Sequence, residues 1–114
     1  MSPLRQFHTA VLERNQVYTD DFDTEPYECA WAGEALWFVR VQELGGDGVA
    51  LDVRAQISPD GLIWCDEGAQ LPPLREPGLY MLKVREFGGW LRLACRMSGV
   101  VPRVKVLIYL SLKS

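Results

Sequence analysis

The sequence predicts an all-β fold: a single antiparallel β-sandwich of jelly-roll type, with about eight strands and an N-terminal arm. Three observations carry that expectation. Val49, Leu51, Val53, Ala55 and Ile57 alternate with Asp52, Arg54, Gln56 and Ser58, which is the period of a half-buried strand and excludes a helix there. Ser58-Pro59-Asp60-Gly61 puts Pro where its ring fixes φ, then Asp-Gly where a short polar side chain and a left-handed residue are tolerated, so the chain turns. Short alternating runs then recur at ~8 to 12 residue spacing between Gly and Pro signals, the pattern of a sandwich or jelly roll.

Taken in order, residues 1–25 read as an arm and 26–114 as the sandwich domain. In the arm, Leu4, Phe7, Val11 and Leu12 fit one helical face, while Phe7, Thr9 and Val11 fit a strand; the choice stays open, leaning to a short strand. Thr19 to Glu25 holds four acids in seven residues and reads as a solvated loop. Tyr27, Cys29 and Trp31 face one way in a strand that Gly33-Glu34 ends with a tight turn. Ala35 to Leu44 sets Trp37, Val39 and Val41 against Leu36, Phe38, Arg40 and Gln42, apolar on both faces at its start and amphipathic at its end. Gly45-Gly46-Asp47-Gly48 predicts a flexible turn into the strand from Val49.

After the Ser-Pro-Asp-Gly turn, Leu62 to Cys65 is expected as a short return strand anchored by Trp64. Gln70 to Leu74 with Pro77-Gly78 is expected as a loop crossing between sheets. Leu79 to Phe87 puts Tyr80, Leu82 and Val84 inward and Lys83 and Arg85 outward. Gly88-Gly89 is a corner. Trp90 to Ser98 turns Leu91, Leu93, Cys95 and Met97 inward, and Val104 to Leu112 closes with Val104, Val106, Ile108, Leu110 and Leu112 inward.

A chain of 114 residues, 48% hydrophobic and 24% charged, is one ordinary globular domain and not a disordered one. Twelve Lys and Arg against fifteen Asp and Glu, a net charge of −3, argue against a nucleic-acid binder, which normally carries a basic face. No apolar run approaches the ~18 to 20 residues that cross a bilayer, and Met1 to Arg5 has no apolar secretory core. The expected location is therefore intracellular, in the cytoplasm, with no membrane partner. Cys29, Cys65 and Cys95 lack C-x-x-C spacing and sit among apolar neighbours, so buried free thiols are expected.

Catalysis finds little support. Nucleophilic chemistry needs a base beside Ser or Cys, and His8, the only imidazole, lies in the arm. Asp60, Asp66 and Glu67 cluster at one hairpin end, where turn chemistry and solvation account for them without a paired-carboxylate reaction. Asp20-Asp21-Phe22-Asp23 lacks the Gly and terminal Glu of a calcium loop, one histidine is poor provision for zinc, and Gly45 to Gly48 lacks the helix and lysine of a phosphate loop. The expectation is a non-enzymatic protein with no catalytic residues, cofactor or metal.

The outward pleat is more telling. Leu36, Phe38, Trp90, Leu107 and Tyr109, with Arg92 beside them, are large residues on several strands, and together they predict a contact surface and self-association into a homo-oligomer. The competing explanation, equally weighted, is that the arm covers this face within one subunit. An arm ahead of a compact domain can also exchange between neighbours or add a strand to an edge. On that view, removing residues 1–22 lowers assembly without unfolding the sandwich.

Leu51 to Lys113, about the last sixty residues, resembles a family of small phage and bacterial β-sandwich structural proteins. The resemblance rests on Ser58-Pro59-Asp60-Gly61 followed by Trp64, on Gly78-Leu79-Tyr80, on Trp90-Leu91-Arg92 and on Gly99-Val100-Val101-Pro102. It implies a self-associating structural subunit or decoration module of a virion-like or other repetitive particle, with other particle subunits as partners. The acidic arm lies outside the pattern. The Ser-x-Asp-Gly-x-x-Trp hairpin also resembles that of discoidin-like carbohydrate-binding sandwiches. That second resemblance implies sugar stacking on Trp64, Trp90 or Tyr109 with hydroxyls bonded by Arg92, Arg96 or Asp side chains.

Overall fold

The structure, a computed structural model, describes residues 7–85 and 87–114. Among them there is no helix. Seven strands form one antiparallel sheet: β1 Phe7–Tyr18, β2 Phe22–Asp23, β3 Tyr27–Glu28, β4 Glu34–Ser58, β5 Cys65–Gln70, β6 Gly78–Arg85 and β7 Trp90–Lys113. Two very long strands organise it. β4, 25 residues, and β7, 24 residues, pair from Glu34↔Lys113 to Ser58↔Trp90. The shorter strands flank the halves of this ladder. β6 pairs with the first half of β4 and β5 with its second half, while β1 pairs with the last half of β7 and β2 and β3 with its first.

Here the sequence-based expectation is corrected. Gly45 to Gly48 makes no turn: it lies inside β4, and Gly99 to Pro102 lies inside β7 opposite it. What the glycines provide is a bend. Register shifts fall at Val41/Glu43, Gly45/Asp47 and Asp47/Ala50, each shift increasing local twist. Gly46 has φ +111, and a Cβ there would come within 2.6 Å of the Val100 and Val101 carbonyl oxygens. Only glycine allows so close an approach of the two backbones. A straight strand of 25 residues would run about 80 Å, whereas the longest extent of the molecule is 55 Å.

The far ends confirm that the ladder doubles back. Cys29 N donates to Gly89 O at 2.7 Å, and Gly33 N donates to Lys113 O at 2.9 Å. Cys29 and Gly33 are four residues apart, a reach of at most about 14 Å, so the two ends of β7 lie close together. This crossing explains why Trp31, expected on one strand face with Tyr27 and Cys29, is 42% exposed while Cys29 is buried: the strand ends at Glu28, and Cys29 to Gly33 spans between the ends of β7.

One hydrophobic cluster draws on both halves. Trp37, Val39 and Val41 of β4, and Val104, Val106, Ile108, Leu110 and Leu112 of β7, come from one half; Leu51, Val53, Ala55, Leu91, Leu93 and Cys95 come from the other. These inward sets match the alternation in the sequence. A fully buried aliphatic or aromatic side chain contributes about 1.5–3 kcal/mol, so the cluster is the main source of stability. Two further expectations fail locally. The return strand after the turn is Cys65–Gln70 and not Leu62 to Cys65, and Cys65 is exposed, while Cys29 and Cys95 are buried and all three thiols are free. Burial pushes the Cys29 thiol up to about 12 and raises that of Cys95 as well, so both are protonated and unreactive.

Much of the segment expected as an arm is part of the sheet. β1 runs antiparallel to β7 from Phe7↔Lys113 to Tyr18↔Val104, with register shifts around Glu13 and Asn15 at φ 52. Leu12 and Tyr18 pack against the core, and the Tyr18 ring stacks on buried Phe22 at 3.7 Å. Removal of residues 1–22 would therefore strip core contacts as well as the segment itself, which makes that truncation a poor probe of assembly. Leu4 lies outside the described residues.

Candidate functional site

The two halves of the ladder present outer faces of opposite character. On the half built from β1, β6, the first part of β4 and the last part of β7, cross-strand pairing sets Val11, Tyr109, Phe38 and Met81 in one row across four strands. The next row on one side joins Ser111, Leu36 and Lys83; on the other it joins Leu107, Arg40 and Leu79. Residues in one register row share a face and touch, so seven of these side chains form a continuous apolar surface. Leu79 is 64% and Met81 52% exposed, whereas Leu36, Phe38, Leu107 and Tyr109 are half-buried.

Cations border this surface. Arg40 and Lys105 stand toward the bend, Lys83 and Arg85 toward the opposite end. Two acids stand among them: Glu34, 3.8 Å from Lys83, and Glu43, opposite Lys105. Arg40 and Arg85 have no ion-pair partner among the described residues.

The outer face of the other half is a polar network. Asp23 lies 2.8 Å from Arg96 and 3.4 Å from Arg92. Arg92 Nε donates to Gln56 Oε1 at 2.8 Å, Gln56 Nε2 donates to Asp66 Oδ1 at 3.0 Å, and Arg54 stands 3.3 Å from Asp66. The Arg92 guanidinium lies 4.4 Å over the Trp64 ring, a favourable cation–π arrangement. The bond from Gln56, and then the charge of Arg54, hold the Asp66 carboxyl below its ordinary range; the bond to Asp23 raises the Arg96 guanidinium further.

The hairpin at the end of β4 is fixed by its own side chains. Ser58 Oγ accepts from the backbone of Asp60 at 3.2 Å and of Gly61 at 2.8 Å, and Asp60 Oδ1 accepts from Leu62 N at 2.8 Å and Ile63 N at 3.1 Å. Gly61 has φ +80, and a Cβ there would come within 3.1 Å of the Trp90 ring, so Trp90 lies against the turn. Those bonds, with Leu62 N first, hold the Asp60 carboxyl below its ordinary range. The tip exposes Leu62 (82%) and Ile63 (74%).

The six residues expected on one contact surface thus fall in two places. Leu36, Phe38, Leu107 and Tyr109 lie together on the first half; Trp90 packs on the hairpin and Arg92 joins the polar network. Val11, Leu79 and Met81 were missed. The signal for Leu79 and Met81 was present, since they share parity with the outward Lys83 and Arg85, but Val11 needed the register of β1. Leu62 and Ile63 were also missed, because they were assigned to a strand that starts only at Cys65.

Two shallow depressions of about 290 and 280 Å³ flank Arg75, one lined by Leu44 and Val49, the other by Pro72, Pro73 and Tyr80. Neither gathers a nucleophile and a base. Among the described residues no group of three His, Cys, Asp or Glu side chains is placed to hold a metal ion. His8 bonds through Nε2 to the Tyr27 hydroxyl, stacking its ring on that of Tyr27, and this contact links β1 to β3. No family model matches the chain, and comparison with curated proteins finds no relative.

Proposed function

We infer that this protein is a non-enzymatic structural or interaction subunit that associates with copies of itself, as in a phage-like or other repetitive particle, and that its doubled ladder serves as a two-layer sandwich of jelly-roll type. The observation that carries this is the apolar row Val11, Tyr109, Phe38 and Met81 with Leu36, Leu79 and Leu107 around it. A monomer gains nothing by lining an outer sheet face with these residues, and a contiguous exposed apolar patch of this kind marks a contact site. β1 lies at the edge of this face and does not cover it. The site needs no cofactor: apolar area supplies the driving force, and the surrounding cations supply selectivity.

The test is mass measured by light scattering over a concentration series. The unmodified protein is expected to form a defined species larger than the monomer. Met81→Asp, at an exposed position of an edge strand, is expected to shift it to monomer while leaving thermal unfolding nearly unchanged. A monomer at every concentration would overturn the reading.

A carbohydrate-binding role is the second reading, and the geometry favours it less. Trp90 lies against the hairpin turn, and Arg92 occupies a face of Trp64, so two of the three aromatic platforms are engaged. Sugar-dependent retention on an affinity gel, abolished by Trp90→Ala, would restore it.

A further inference from the structure

We propose that self-association is head-to-tail: the Leu62–Ile63 hairpin tip of one copy seats on the apolar face around Phe38 and Tyr109 of the next. This rests on the self-association reading and adds the identity of the partner surface.

The two surfaces match in three respects. Both are apolar and exposed, the tip through Leu62 and Ile63 and the face through Leu79 and Met81. Their surroundings carry opposite charge. The tip is flanked by Asp60, Asp66 and Glu67, of which only Asp66 has a cation partner among the described residues, Arg54 at 3.3 Å; the face is bordered by Arg40, Lys83, Arg85 and Lys105, with Lys83 set against Glu34 and Lys105 opposite Glu43, so that Arg40 and Arg85 carry its surplus charge. The tip is also preorganised. Asp60 and Ser58 together take four backbone N–H groups of the turn, and Trp90 closes over Gly61. Two adjacent aliphatic side chains are thereby held out in a fixed conformation, which lowers the ordering cost of seating them.

Charge decides between the alternatives. Two copies meeting face to face would bring Arg40, Lys83, Arg85 and Lys105 of each against those of the other, which like-charge repulsion opposes. Another exposed apolar pair, Val100 and Val101, lies at the bend, where Glu43 pairs with Arg103 at 2.9 Å and Asp47, opposite Val100, is the one acid there without a cation partner among the described residues, against two such acids, Asp60 and Glu67, at the hairpin tip. The acidic tip is the complementary one. Because tip and face are different surfaces, the contact is heterologous, and it generates rings or open chains rather than closed dimers.

The test uses two double variants, Leu62→Ser with Ile63→Ser, and Leu79→Ser with Met81→Ser, all at exposed positions. Each alone is expected to lose every species above the monomer at concentrations where the unmodified protein is assembled. Mixed in equal amounts, they retain one intact tip and one intact face, and are expected to form a 1:1 dimer and nothing larger. A tip variant that assembles as the unmodified protein does, or a mixture that stays monomeric, overturns the head-to-tail contact while self-association stands. An unmodified protein that is monomeric throughout overturns the reading beneath it. A second measurement needs no variant: opposite charges across the contact predict that assembly of the unmodified protein weakens as salt rises from 50 mM to 500 mM, about a threefold change in Debye length. Assembly that strengthens with salt points to face-to-face pairing and overturns the proposal.

Discussion

Single residues with an unusual duty mark where the fold depends on side-chain chemistry. Thr24 is buried; its N–H donates to Leu93 O at 2.9 Å, and its hydroxyl accepts from Leu93 N at 2.8 Å. It closes the edge of β7 just where β2 stops. Thr24→Val keeps the shape and leaves the Leu93 N–H buried without a partner, so it is expected to lower stability by about 1–3 kcal/mol, read as a shift in the urea midpoint with unchanged slope. A variant as stable as the parent would show that water reaches that edge. Inward residues of β4 and β7 were legible from alternation alone, because a period-two pattern states which face is buried. Thr24 was not, since its role depends on β7, far away in sequence. Cys65 shows the opposite error: apolar neighbours suggested burial, but the second half of β4 already has β7 on one edge, and β5 on its other edge is mostly exposed.

At the level of elements, the bend in β4 and β7 is what separates one long ladder from two hairpins. A Gly-Gly-Asp-Gly run is read as a turn, and local chemistry cannot distinguish a turn from a bend in a continuous strand. The choice is made by pairing. If residues 45–48 turned, β4 would fold onto itself; instead both its halves have β7 as a partner, which buries apolar faces on both sides of the bend. Gly46→Ala tests the bend, because any Cβ there would meet two carbonyl oxygens at 2.6 Å with φ at +111. The substitution is expected to cost more than about 1 kcal/mol, seen as a lower thermal midpoint. Gly48→Ala has open space at its Cβ but a φ of +62, so a smaller loss is expected. Equal effects would mean that backbone conformation dominates and close approach contributes little.

For the whole molecule, acid is the condition that exposes its dependence on paired carboxylates. Asp60, Asp66 and Glu43 are all held below their ordinary range, by backbone bonds at the turn, by Gln56 and Arg54, and by Arg103 respectively. A carboxyl with a lowered folded value adds stability that is fully present above its unfolded value of about 4, and that stability is lost as pH falls through the folded value. Denaturant midpoints are therefore expected to be flat from pH 7 to about 5 and to fall below about 4. A decline already under way between pH 7 and 6 would show that these three carboxyls do not govern the acid sensitivity. The all-β class and the inward faces were legible in the sequence; the single continuous sheet was not, and neither was the apolar row on its outer face, because both depend on which distant strands meet.

The last half of β7 has a consequence for biosynthesis. Residues 104–113 lie between β1 and β4 at the centre of their half of the sheet and supply five wholly buried side chains, yet they are made after all of their neighbours. Until they leave the ribosome, β1 and the first half of β4 have nothing to pair with on the edges that β7 will occupy, and the inner side of that half stays wet. The earlier Ser58↔Trp90 end of the ladder can close first, so the nascent chain matures from its middle outward, and the apolar outer face takes form only once residues 104–113 have emerged.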